Sequence, residues 1–343
     1  MPAESLATVT RGETIESVHR GHLIVVTGDG QIIASLGSPE TITFWRSSAK
    51  SFQAIPFLTS GAAARFGFTD EEIALSCGSH SGEEIHVRTA RQMLEKGGFD
   101  ETDLRCGVQI PFDEKRAEEM IRADESPTQL HNNCSGKHAA MLAFARHIGA
   151  DTKTYEHLEN PVQQAILKCV SEFTDVPENE IKLGIDGCAA PNFAVPISTM
   201  AKAFAQLISP PENFDEATGE ACRRIVSATM EYSQMIGGTN RLDTLIMQSL
   251  PGKIVSKIGA EGVYSAGILP SSRWKKGLGI AFKIEDGDDA RARAVVLIEV
   301  LRQLEILDET TDEKLREYSP IILKNRRGDA VGKVAAQFDL RIG

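Results

Sequence analysis

The 343-residue chain has no Cys-x-x-Cys pair, no apolar run near the ~20 residues of a membrane helix, and no excess of positive charge. Each absence removes a class of protein. Its six cysteines (Cys77, Cys106, Cys134, Cys169, Cys188, Cys222) are scattered, which excludes a small disulfide scaffold. With 37 Lys+Arg against 48 Asp+Glu, the net charge is −11. No broad cationic field therefore draws the chain to nucleic acid or to an anionic membrane. A local basic pocket for a small anion stays open. Met1 to Arg11 lacks the charged-then-apolar run of a secretory signal, so free thiols in a reducing cytoplasm are expected. Internal repeats and low-complexity linkers are also missing. What is present, 41% hydrophobic and 25% charged residues, matches an ordinary globular chain of roughly two lobes.

Strand patterns occupy both chain ends. Leu23 to Val26 and Gln31 to Ala34 flank Asp29-Gly30, a pairing that predicts a hairpin with a tight primed turn. Late in the chain, Lys253 to Ile258, Gly262 to Leu269 and Gly277 to Ile284 are short and Gly-bounded, and Leu278, Ile280, Phe282 and Ile284 alternate. A closing strand pair is expected across Asn325 to Asp329. Between the ends the pattern is helical. Thr69 and Glu72 have capping-box spacing, and Ala140, Met141, Phe144 and Ile148 recur at helical intervals. The economical solution is a single α/β (α+β) domain over residues 1–343, with a mixed, largely antiparallel sheet built from both ends and a helical lobe inserted. The sheet lobe would take about 1–45 and 240–343, the helical lobe about 46–239, with the active site in a cleft between them.

Four groups of residues can do chemistry. Ser47 and Lys50 are three apart where strand gives way to helix, so they share a helical face. A serine becomes a nucleophile when a neighbouring base takes its proton, and a lysine of depressed pKa can serve. Ser48 has no lysine at that offset. Lys257-Ile258-Gly259 resembles the Lys-Thr-Gly strand that faces a Ser-x-x-Lys helix in serine enzymes of the β-lactamase type, with Ile258 in place of the hydroxyl residue. Cys77 to Gly82 is a polar break in which Ser79 or His80 can transfer protons, or simply cap a helix. Gly237 to Arg241 lacks phosphate-loop spacing and reads as a helix stop and restart. Finally, His131 to His138 and Asp186 to Asn192 bring thiols, imidazoles and a carboxylate suited to zinc. The same cysteines also fit two other readings, buried small hydrophobes or a Cys134 nucleophile with Lys137 as its base.

Taken in order, Arg46 to Lys50, Ser76 to His80, His131 to His138, Asp186 to Cys188 and Ser256 to Gly262 resemble the rhizobial-type (class 3) L-asparaginases over essentially the full chain. The block Asn132-Asn133-Cys134-Ser135-Gly136-Lys137-His138 is the most specific of these. The resemblance implies a β-lactamase-like fold related to serine glutaminases. It also implies a cytoplasmic homodimer that hydrolyses L-asparagine to L-aspartate and ammonia. By motif match, Ser47 with Lys50 and Ser79 with Lys257 would be catalytic. Arg46, Asn133 and Asp186 would bind substrate, and Cys134, Lys137 and Cys188 would hold zinc. A serine glutaminase or other amidohydrolase, and a non-catalytic zinc or amino-acid binding protein, are the competing expectations.

Overall fold

Strand-forming runs from the two chain ends meet in one antiparallel sheet of eight strands. The structure is a computed structural model describing residues 1–343, and the sheet belongs to a unit formed by Met1–Thr43, Pro196–Ser209 and Ser249–Gly343. Its strands run in the order Ile321–Lys324, Ala330–Ala336, Glu4–Arg11, Thr14–Thr27, Leu278–Ile284, Val263–Ile268, Ile254–Ile258, with Ile32–Leu36 paired to Thr14–Thr27. The strand Thr14–Thr27 spans 14 residues and serves neighbours in succession. Thr14 to Gly21 pairs with Glu4–Arg11, then Gly21 to Thr27 pairs with Leu278–Ile284.

In Leu278–Ile284 the alternation is real, but the intervening Gly279 and Ala281 are buried as well. They are small because the helix Ile197–Ile208 lies against the sheet. A Cβ on Gly279 would overlap the Ala201 carbonyl, and one on Gly267 would meet Ile208 Cγ2 at 2.6 Å. That helix falls inside the lobe assigned to helices from sequence, yet it packs with the sheet. The hairpin after Thr27 also differs from expectation. Only Gly30 has a positive φ, +84°, and Thr27 bonds both Gly30 and Gln31, so the loop is a three-residue turn with a bulge at Val25/Val26.

The second unit, Phe44–Val195 and Pro210–Gln248, is mainly helical. A short helix, Asp70–Cys77, lies at its centre, packed against Glu216–Glu231, Ser135–Ile148 and Lys50–Thr59. Its start carries the expected capping box between Thr69 and Glu72. The helix Ser135–Ile148 is buried on every side from Ser135 to Ala145. It crosses Asp70–Cys77 closely at Gly136, where a Cβ would stand 2.6 Å from both Leu75 Cγ and the Leu75 carbonyl oxygen. Trp45, Phe52, Phe173 and Phe214 form a run of ring contacts at centroid spacings of 4.7, 5.1 and 4.8 Å. The hairpin of Lys182–Ile185 with Pro191–Pro196 breaks the helical pattern and was not expected from the sequence. No helix of the chain is long and apolar enough to cross a membrane.

Candidate active site

Chain geometry first fixes Ser47. The helix Lys50–Thr59 is preceded by a 3-10 turn, Arg46–Ala49, and Arg46 enters it in the left-handed region with φ +56°. A non-glycine residue there is strained by about 1–3 kcal/mol and persists where its surroundings enforce it. Two contacts do so: the Arg46 N–H donates to Asn192 Oδ1 at 3.1 Å, and its guanidinium pairs with Asp186 at 3.1 Å. The turn leaves Ser47 partly exposed, whereas Ser48 is fully buried.

Lys50 gathers the other motifs around this turn. It is 1% exposed, and its Nζ donates to the Gly78 carbonyl and, at 3.2 Å, to the Asn133 carbonyl. The Ser47 turn, the Ser79 loop and the Asn133 loop therefore converge on one amine. Two carbonyls occupy two of its N–H bonds. The remaining position holds a third proton in the ammonium form and a lone pair in the amine form.

Ser79 sits in the break between Asp70–Cys77 and Glu84–Gly97, and it is 3% exposed. Its N–H donates to the Ile236 carbonyl at 2.7 Å, and Ser81 Oγ donates to the Gly237 carbonyl at 2.7 Å. Glu83 completes the zipper by accepting from Thr239 N–H at 2.6 Å, Thr239 Oγ1 at 2.9 Å and Gln234 Nε2 at 3.2 Å. Gly237 to Arg241, a helix stop and restart as expected, is thus also the support of the Ser79 loop. His80 is locked in one neutral form. Its Nδ1 accepts from Gly82 N–H at 3.1 Å, which leaves Nε2–H to meet Ser135 Oγ at 2.9 Å, and Ser135 donates to Leu130 O at 3.0 Å. Burial, reinforced by neighbouring cationic groups, holds His80 well below the ordinary imidazole range.

Cys134, Lys137 and Cys188 come together as the sequence resemblance implied. Lys137 Nζ donates to Cys188 Sγ at 3.1 Å, and the Cys134 thiol hydrogen-bonds Cys188. All three are buried. The two thiols divide their protons unequally: the bond from Cys134, with the Lys137 charge, drives Cys188 far down, and the same bond together with burial drives Cys134 up. Burial alone would lower Lys137, but the Cys188 and Cys134 sulfurs outweigh it and raise it. His138 stands beside Cys188 and hydrogen-bonds it. Its Nδ1 meets Tyr155 Oη at 2.7 Å, and Tyr155 in turn accepts from Arg105 N–H at 2.9 Å. Two sulfurs and one amine, with the His138 imidazole beside them, are donors of the kind a borderline-soft ion such as zinc takes. No group of three or more His, Cys, Asp or Glu side chains that could hold a metal ion occurs in the chain, at these residues or elsewhere.

Lys257 lies in the sheet unit, on the fully buried strand Ile254–Ile258, with Nζ donating to Ile258 O at 3.1 Å. The neighbouring Ser256 hydroxyl bonds Tyr264 on the adjacent strand. Sequence reasoning missed Asn192, Glu83 and Tyr155. Asn192 was visible only as the end of a loop motif, and the other two have no signal short of the fold. Cys106 is a buried thiol pushed up to about 12 by burial and then by the Cys188 charge.

Comparison with known proteins gives the class and then the family. The chain is an amidohydrolase with a small-molecule substrate. A family model described as L-asparaginase II matches residues 7–336, and the chain belongs to that family. No curated protein matches it. Among solved structures, it is similar to a probable glutaminase from Bacillus subtilis complexed with 6-diazo-5-oxo-L-norleucine. That pair shares 13% identity over 83% of this chain and 84% of the other, with a TM-score of 0.37. A Bacillus glutaminase in 4.3 M NaCl is similar at 14% identity, 83% and 91% coverage and TM-score 0.37.

Proposed function

We propose that the protein is an L-asparaginase acting through an acyl-enzyme on Ser47. The observation that carries this reading is Lys50, whose amine bonds the carbonyls of Gly78 and Asn133 while lying one turn from a partly exposed serine. Ser47 Oγ attacks the side-chain amide carbon of asparagine and passes its proton to the Lys50 amine. Hydrogen-bond donors facing the tetrahedral oxyanion supply about 3 kcal/mol each. The C–N bond breaks as the departing nitrogen takes a proton, and ammonia leaves a β-aspartyl ester on Ser47. Lys50 passes the proton it took to the Ser79–Lys257 pair, replacing the one given to ammonia. As an amine again it deprotonates water, which cleaves the ester to aspartate as that proton returns to Ser47 Oγ.

Ser79 with Lys257 is the second pair, delivering the proton to the leaving nitrogen. Arg46, Asn133 and Asp186 would bind the substrate, the first and last as a ready ion pair whose members meet the α-carboxylate and α-ammonium. Zinc would be held by Cys134, Lys137 and Cys188. It would supply a fixed positive charge beside the site. Lys137 must lose a proton to bind it, so loading is expected to weaken as pH falls. A homodimer in the cytoplasm completes the proposal, resting on the family resemblance.

Ser47→Ala decides the nucleophile. Ammonia release from asparagine is expected to fall at least ~10³-fold with the fold intact, as when a nucleophile is removed. Wild-type turnover in that variant would refute the reading, and a panel of asparagine, glutamine and D-isomers fixes the specificity. Equilibrium dialysis with elemental analysis tests zinc. Stoichiometric metal that is lost in Cys188→Ala is expected, and its absence from the wild type would reject the site.

A further inference from the structure

The segment from Arg105 to Asp113 has no regular structure and runs beside the Ser79 and Asn133 loops. It is tied down at both ends. Arg105 N–H donates to Tyr155 Oη at 2.9 Å, Gly107 N–H to Gln129 Oε1 at 3.0 Å, and Asp113 N–H to Ser81 O at 3.0 Å. Asn132 Nδ2 holds the Cys106 and Gly107 carbonyls at 2.9 and 3.1 Å. Between these anchors, Val108 and Ile110 are 65% and 66% exposed, while Gln109 is turned the other way and half-buried. Its Oε1 accepts from Asn133 N–H at 3.5 Å.

That contact fixes the orientation of the carboxamide. A backbone N–H can only donate, so the atom facing it is the oxygen, and the Gln109 NH2 group is turned away from Asn133 N. This Nε2 is buried and has no partner. Native proteins leave few buried donors unsatisfied, because a buried donor without a partner has lost its hydration with nothing in return. A donor held in that condition beside Asn133, whose carbonyl bonds Lys50, is placed to receive an oxygen from a ligand. Arg46 Nε is a second buried donor without a partner next to Ser47.

We infer that Gln109 is a further substrate-binding residue, whose side-chain NH2 donates to the α-carboxylate of the amino-acid substrate. The inference rests on the asparaginase reading for the identity of that substrate. Asparagine carries the carboxylate that a neutral donor and a guanidinium can share, and a neutral donor adds a directed bond without altering the charge balance of Arg46 and Asp186.

The test pairs a residue change with a substrate change. kcat/KM is measured for asparagine and for its α-amide, in wild type, Gln109→Ala and the nearly isosteric Gln109→Glu. Removing the carboxylate should cost wild type at least tenfold and Gln109→Ala no more than about threefold. Gln109→Glu should raise KM for asparagine at least tenfold, with kcat within about threefold. Equal penalties for the α-amide in wild type and Gln109→Ala would overturn the inference, and so would an unchanged KM in Gln109→Glu. Should the wild type release no ammonia from either substrate, the asparaginase reading fails instead. Gln109 is then judged by thermal shifts with aspartate and its α-amide. A shift favouring aspartate in wild type and lost in Gln109→Ala supports its role, and identical shifts in both proteins refute it.

Discussion

Gly136→Ala probes the link between packing and chemistry. The added Cβ would lie 2.6 Å from Leu75 Cγ and from the Leu75 carbonyl oxygen, and 2.9 Å from the carbonyl carbon. Ordinary contact starts at 3.4 Å, and the obstructing oxygen belongs to a helix backbone that cannot rotate away. The start of Ser135–Ile148 must therefore retreat by about 1 Å. Overpacking of this kind destabilises by about 1–3 kcal/mol, offset by up to about 1 kcal/mol from the better helix propensity of alanine. The net loss, about 0–3 kcal/mol, corresponds to a fall in Tm of at most roughly 12 °C for a unit of this size. Activity should suffer far more. Gly136 lies between Cys134 and Lys137, and Asn133 precedes it by one turn, so the retreat carries all three away from Lys50. A displacement of about 1 Å costs on the order of 10²-fold in rate. Ammonia release and thermal denaturation, measured on the same preparation, give the answer. Turnover within twofold of wild type would show that this helix crossing does not set the site.

Two further perturbations have definite signs. Glu83→Gln keeps the shape of the side chain but presents an NH2 group where Thr239 and Gln234 donate, so the Ser79 loop should loosen. A drop in kcat of about 10-fold or more with KM little changed is expected in steady-state assays, and a pure KM effect would contradict it. Acid should destabilise the fold through its neutral histidines. Burial lowers His80, His86, His131 and His138, so unfolded chains bind protons at these sites that folded chains refuse. Stability therefore falls as pH drops below about 6.5, each group contributing up to about 1.4 kcal/mol per pH unit until its folded pKa is reached. Thermal scans between about pH 7 and 5 check this, and a flat or rising Tm over that range would oppose it.

Much of this architecture was legible from residue order. The late strands announced themselves through apolar runs between glycines, and Thr69 with Glu72 marked a helix start. Ser47 was separable from Ser48 by its offset from Lys50, and Ser48 is completely buried. What stayed hidden depends on tertiary contact. Lys182–Ile185 and Pro191–Pro196 are too short and too rich in Gly and Pro to read as strands. The left-handed Arg46 is enforced by Asn192, 146 positions away. Ile197–Ile208 has an ordinary helical pattern, and nothing local says that it covers Gly267 and Gly279 on the sheet. Tyr155 gains its role only because His138 is brought to its hydroxyl.

The order of strands has a consequence for biosynthesis. Glu4–Arg11 is synthesised long before one of its two neighbours, Ala330–Ala336. One edge of the opening strand therefore waits, unpaired, through the synthesis of more than three hundred residues. The helical unit has its last residue at Gln248, so all of its own chain is made before the strand Ala330–Ala336. Sheet closure is the late, high-contact-order event. A nascent chain stalled or cut before Ala330 would leave Glu4–Arg11 as an open template for pairing with another chain.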